Sequence, residues 1–138
     1  MRAAVFHKPK DIRCETVPDP KLEHPRDAIV RVTSTAICGS DLHIYNGLFP
    51  QLRPLVLGHE FMGEVEEVGA EVLNLSKGDR VVVPFPIACG RCYFCERKVP
   101  VGCEHSNVNH YGPQGGVFTQ KGGGIFGYTD LYGGYNGG

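Results

Sequence analysis

The sequence predicts a mostly β domain, of barrel or sandwich type, on three observations. Short runs rich in β-branched residues recur through the first 83 positions. Turns bearing glycine or proline separate them, and only one stretch suits a helix. The residues best able to ligate a metal fall on the connections between these runs or in a loop beyond them.

Residues 3–7 and 12–17 read as short strands around the turn Lys8-Pro9-Lys10-Asp11. Loop signals at Pro18-Asp19-Pro20 and His24-Pro25-Arg26-Asp27 lead to a longer β-branched strand, residues 28–37, which delivers the chain to Cys38. Ser40 or Asp41 can cap a short helix to about Tyr45, which Asn46-Gly47 ends. Residues 55–57 then lead to a turn at Gly58-His59-Glu60, and residues 61–68 form a strand closed by Gly69. A turn at Lys77-Gly78-Asp79 precedes a strand over 80–83, stopped by Pro84. Residues 86–110 carry four spaced cysteines and little periodicity, which reads as an excursion held by metal. Residues 111–138 hold eleven of the 19 glycines and are expected to be poorly packed.

The length of 138 residues suits one domain with a real core. A net charge of -1 gives no electrostatic case for nucleic acid or an anionic membrane surface. There is no apolar run long enough to span a bilayer, and charge enters at Arg2, too early for a signal peptide. The expectation is a soluble cytoplasmic protein, whose six cysteines are better metal ligands than disulfide partners.

Cys89-x2-Cys92-x2-Cys95-x7-Cys103 offers four thiolates, which close a tetrahedral zinc shell and predict a structural ion. An iron–sulfur cluster is the rival, but its usual run places the fourth cysteine after three residues with proline behind it, whereas here the gap is seven and Glu104 follows. Cys38 and His59, on separate connections, suit a zinc with a position left for substrate. His59-Glu60 lacks the second histidine of a helical zinc-protease motif. Ser40 and His43 offer a hydroxyl and an imidazole, a sensible path for a substrate proton.

Gly58-His59-Glu60-x2-Gly63-x5-Gly69-x2-Val72 resembles the zinc signature of the zinc-containing alcohol dehydrogenases of the medium-chain family. Cys38-Gly39-Ser40-Asp41-Leu42-His43 resembles their first-ligand motif, and the cysteine quartet their structural-zinc lobe. The tail, Phe126-Gly127-Tyr128 to Gly133-Gly134-Tyr135, is similar to the formaldehyde-dehydrogenase-like branch. The resemblance spans essentially the whole chain and implies a GroES-like β-barrel catalytic domain with short helices. It implies catalytic zinc on Cys38 and His59, with Glu60 beside it. It further implies that Asp41 orients the His59 ring and that Ser40 and His43 form a proton relay. Zinc would act as Lewis acid while hydride passes between a small alcohol or aldehyde and NAD(P).

The family's Rossmann cofactor domain and its remaining zinc ligand are not in these 138 residues. Gly122-Gly123-Gly124-Ile125-Phe126-Gly127 fits a dinucleotide fingerprint by letter, yet no strand precedes it and no helix follows. Gly39 stands where some relatives carry an arginine that meets cofactor phosphate. The expectations are therefore a catalytic domain inactive alone, a retained structural zinc, and a weak or empty catalytic site in which Glu60 or water fills the vacant position. Self-association through the uncovered domain face is also expected. A non-catalytic zinc-binding β interaction module is the alternative function. Among the remaining residues, Cys14 is expected to be a small buried hydrophobe, His7 and His24 surface groups, and Glu64, Glu66 and Glu67 a solvated strand face. His105 and His110 could serve as spare ligands.

Overall fold

The computed structural model describes residues 1–48, 55–86 and 88–103. They form β1 (Arg2–Lys8), β2 (Asp11–Thr16), β3 (Ala28–Thr35), α1 (Gly39–Tyr45), β4 (Leu55–Val56), β5 (Phe61–Val68), β6 (Arg80–Val83) and α2 (Tyr93–Glu96), then a 3-10 turn over Pro100–Gly102. The architecture is mostly β, as the recurring β-branched runs predict. The expectations for residues 104–138, including His105, His110 and the glycine-rich tail, lie outside the described residues.

Two three-stranded antiparallel sheets organise these elements, in the orders β2-β1-β4 and β3-β5-β6. In the second sheet Val30 faces Val65, Val32 faces Gly63 and Thr35 faces Phe61, with register shifts at Ile29/Val30 and Val32/Ser34. A side chain at Gly63 would place its Cβ 2.3 Å from the Arg31 carbonyl oxygen and 2.6 Å from Val30 Cγ1. Only glycine permits this approach of β5 to β3. On the outer side, Arg31 pairs with Glu64 at 2.8 Å and Glu66 at 3.1 Å. Glu66 and Glu67 are exposed and Glu64 half-buried, a largely solvated face as expected.

The first sheet carries the core that positions α1. Phe6 of β1 and Ile44 of α1 are fully buried against each other, and Leu57 packs on the pair. Burying side chains of this size stabilises by about 1.5–3 kcal/mol each. The Lys10 amide donates to the Tyr45 carbonyl at 2.8 Å, and the Leu57 amide to the Ala4 carbonyl at 2.9 Å. The same cluster therefore anchors the helix after Cys38 and the segment just before His59.

Cys14 is exposed, not buried. It lies on β2, whose described pairing is with β1 alone, and its Sγ accepts a hydrogen bond from Arg2 Nη2 at 3.1 Å. An edge strand leaves much of its surface to solvent whatever its composition. His7 is half-buried, its Nε2 2.9 Å from Glu15 Oε1. His24 is half-buried in its loop, where its Nδ1 accepts from the Arg26 amide at 3.2 Å.

Candidate metal centres

Cys38, not Ser40 or Asp41, is the N-cap of α1, with φ −85° and ψ 152°. Asp41 sits one turn in and reaches back, its Oδ2 accepting from the Cys38 amide at 2.9 Å. This satisfies one of the donors that a helix start leaves unpaired. Ser40 Oγ lies 3.5 Å from Cys38 Sγ, and Ser40 and His43 are both exposed, three residues apart on α1. That spacing puts them on one helix face. A Cβ at Gly39 would meet nothing within 4 Å, so neither space nor backbone demands glycine there.

His59 reaches the same place from the connection between β4 and β5. Gly58 ahead of it holds φ +127°, a conformation that side chains rarely adopt. The His59 ring is buried, 4 % exposed, with Phe85 edge-on at 6.1 Å between ring centroids. Its Nδ1 is 3.5 Å from Asp41 Oδ1. One carboxylate thus touches both the backbone of Cys38 and the ring of His59. Cys38 Sγ, a His59 ring nitrogen and a Glu60 carboxylate oxygen lie within 4.8 Å of one another. Thiolate, imidazole and carboxylate form a donor set that zinc accepts, and Glu60 is exposed, so the cluster opens to solvent on one side.

The second cluster is closed. Cys89, Cys92, Cys95 and Cys103 bring their sulfurs within 4.8 Å of one another, with Cys89 and Cys95 at 4.0 Å. The edge of a zinc–thiolate tetrahedron is about 3.8 Å, given Zn–S bonds of about 2.3 Å, so the quartet fits the ion with small adjustments. Cys92 caps α2, Cys95 lies within it, and Cys103 follows the 3-10 turn. Cys92 and Cys103 are buried. The Cys89 amide points at Cys103 Sγ at 3.3 Å and the Arg91 amide at Cys89 Sγ at 3.4 Å. Partial burial, followed by the hydrogen bond shared with Cys92, pushes the Cys95 thiol up to about 11.

The structure brings together Cys38, His59 and Glu60 in one cluster with Asp41 behind it, and the four cysteines in the other. Two contributors escaped sequence reasoning. Phe85 reaches His59 across the end of β6, and Thr35 bonds the backbone beside His59. Neither carries a sequence signal, because each acts through contact with a segment distant in the chain rather than through a motif.

A mostly β fold with an open Cys/His/Glu cluster and a closed cysteine quartet defines a domain of the zinc-dehydrogenase kind. The comparisons agree. Residues 24–130 match the alcohol dehydrogenase GroES-like domain, and the chain belongs to that family. It is 48 % identical over 139 residues to the zinc-type alcohol dehydrogenase-like protein AdhB of Bacillus subtilis strain 168, covering 100 % of this chain and 34 % of that protein. It is 48 % identical over 113 residues to formaldehyde dismutase of Pseudomonas putida, covering 78 % of this chain and 28 % of that one. Among solved structures it resembles alcohol dehydrogenase TADH from Thermus sp. ATN1, with a TM-score of 0.79 and 42 % identity over 100 % of this chain and 35 % of that one. The chain thus spans about a third of the length of the relatives it matches.

Proposed function

We propose that this chain is the GroES-like catalytic portion of a zinc-dependent alcohol dehydrogenase that exchanges hydride between a small alcohol or aldehyde and NAD(P). The observation that carries the reading is the convergence of Cys38, His59 and Glu60 ligand atoms within 4.8 Å on an open side of the domain. Zinc held there would supply Lewis acidity, lowering the pKa of a substrate hydroxyl. With Nδ1 facing Asp41, His59 offers Nε2 to the metal, and the carboxylate fixes the ring. Ser40 and His43, exposed on one face of α1, pass the substrate's proton to solvent. Cys89, Cys92, Cys95 and Cys103 hold a structural zinc that organises their own segment. The likeness to formaldehyde dismutase supports placement in the formaldehyde-dehydrogenase-like branch. Free thiols in both clusters suit the reducing cytoplasm, and no helix among the described residues is long and apolar enough to cross a membrane.

NAD(P) binding belongs, in this reading, to sequence outside residues 1–138. The isolated chain with zinc, NAD and ethanol or formaldehyde is expected to form no NADH. Joined to the remaining two-thirds of the Thermus alcohol dehydrogenase, it should do so, and Cys38→Ser should abolish the activity. NADH formation by the chain alone would refute the cofactor assignment. A folded, zinc-loaded but inactive chimera would refute the function.

We also propose that the isolated chain self-associates, as an uncovered apolar domain face would promote. Large apolar side chains it leaves to solvent include Ile37, Leu73 and Val82, which are 85 %, 94 % and 76 % exposed. Light scattering should then report species heavier than 15.1 kDa. A strictly monomeric chain at high concentration would count against it.

A further inference from the structure

The two halves of the open cluster come from segments that β-pairing brings side by side, and a single carbonyl joins them. The Glu60 carbonyl oxygen accepts the Ala36 amide at 2.9 Å and the Thr35 hydroxyl at 3.0 Å. Ala36 lies two residues before Cys38, and Glu60 immediately follows His59. Thr35 and Phe61 are the last matched pair of the β3–β5 ladder, so regular pairing stops where the ligands begin. Beyond it, these two hydrogen bonds fix how far the Cys38 segment stands from the His59–Glu60 turn.

From this geometry we infer that Thr35 is a positioning residue for the metal centre of Cys38, His59 and Glu60. Its hydroxyl doubles the hydrogen bonding at the Glu60 carbonyl and so sets the spacing of the ligand pair. The inference rests on the metal-site reading proposed above. The Thr35 hydroxyl bonds the Glu60 main-chain carbonyl, not its carboxylate. It acts through the backbone, as hydrogen-bonded groups behind ligands generally do. Valine keeps the branched shape and β preference of threonine but cannot donate. Asp41 holds the same pair from the helix side, so the centre is braced from two directions.

The test is cobalt titration of the full metal-free chain, read by its visible spectrum, for wild type, Cys38→Ser, Thr35→Val and Thr35→Ser. Wild type should take a second equivalent that Cys38→Ser does not. Thr35→Val should bind that second equivalent about three- to tenfold more weakly, the range one net hydrogen bond allows, with shifted absorption bands. The first equivalent, on the cysteine quartet, should be unchanged. Thr35→Ser should restore both affinity and band positions. A purely structural threonine would lower the melting temperature and leave the second equivalent untouched, and that result overturns the inference while sparing the metal site. A wild type that binds only one equivalent, as Cys38→Ser does, overturns the metal site and the inference with it. If Thr35→Val fails to fold, Thr35→Ala against Thr35→Ser gives the same decision.

Discussion

Cys103→Ser is expected to loosen the quartet's hold on zinc by about two orders of magnitude or more and to unsettle the segment around it. Cys103 is fully buried and its sulfur also accepts the Cys89 amide at 3.3 Å. Residues 88–103 contain only one helical turn and one 3-10 turn, with no strand of their own to tie them into either sheet. A structural zinc supplies about 10–16 kcal/mol of apparent binding free energy, so a quarter share is about 2.5–4 kcal/mol. Zinc binding should therefore weaken by roughly a hundred- to a thousandfold. Competition with a chromophoric chelator, together with elemental analysis, measures this directly. Acid should have the same effect as the mutation. Each thiol must lose a proton to bind, and Cys95 holds its proton up to about 11 without metal. Affinity should fall by up to about tenfold per pH unit for every proton displaced. Unchanged zinc affinity in Cys103→Ser would remove the quartet from the metal inventory, and iron in place of zinc would restore the iron–sulfur alternative.

Asp41→Ala should strip the open centre while leaving the quartet filled. Two contacts disappear together: Oδ2 with the Cys38 amide at 2.9 Å and Oδ1 with His59 Nδ1 at 3.5 Å. Partners standing behind metal ligands are worth about 10–100-fold in affinity, and the loss at the Cys38 segment adds to that. The start of α1 loses its reciprocal bond as well, a further cost of about 1 kcal/mol in fold stability. Asp41→Asn should fall between, because an amide oxygen can still accept from Cys38 while the negative charge facing the imidazole is gone. Metal titration monitored on the Cys38–His59 pair separates the three proteins. An Asp41→Ala chain with wild-type affinity for its second metal would sink the account of Asp41.

The strands and the residues of both clusters were legible in the sequence because each rests on local chemistry. Cys-x2-Cys spacing brings thiols together on one tight turn, and β-branched runs between glycines have few conformations open to them. What stayed hidden depends on neighbours distant in the chain. Cys14 reads as a buried residue from its strand pattern, yet the outer position of β2 exposes it. Ser40 and Asp41 both look like helix caps, and only the path of the chain out of β3 gives the cap to Cys38 and turns Asp41 back towards it. The bond from Thr35 to Glu60 needs the β3–β5 register, which no local pattern in either strand specifies.

The close fit at Gly63 bears on how Cys38 and His59 come to be level. Slipping one strand of a ladder by a residue turns every side chain to the opposite face. Here the Arg31 carbonyl leaves no room for any side chain opposite the hollow that Gly63 provides. Were β5 to slide one place either way, Met62 or Glu64 would enter that space and collide with backbone. Gly63 therefore works as the notch of a key, accepting one alignment of the two strands and blocking its nearest rivals. Whether Cys38 and His59 meet is settled there, four residues from His59.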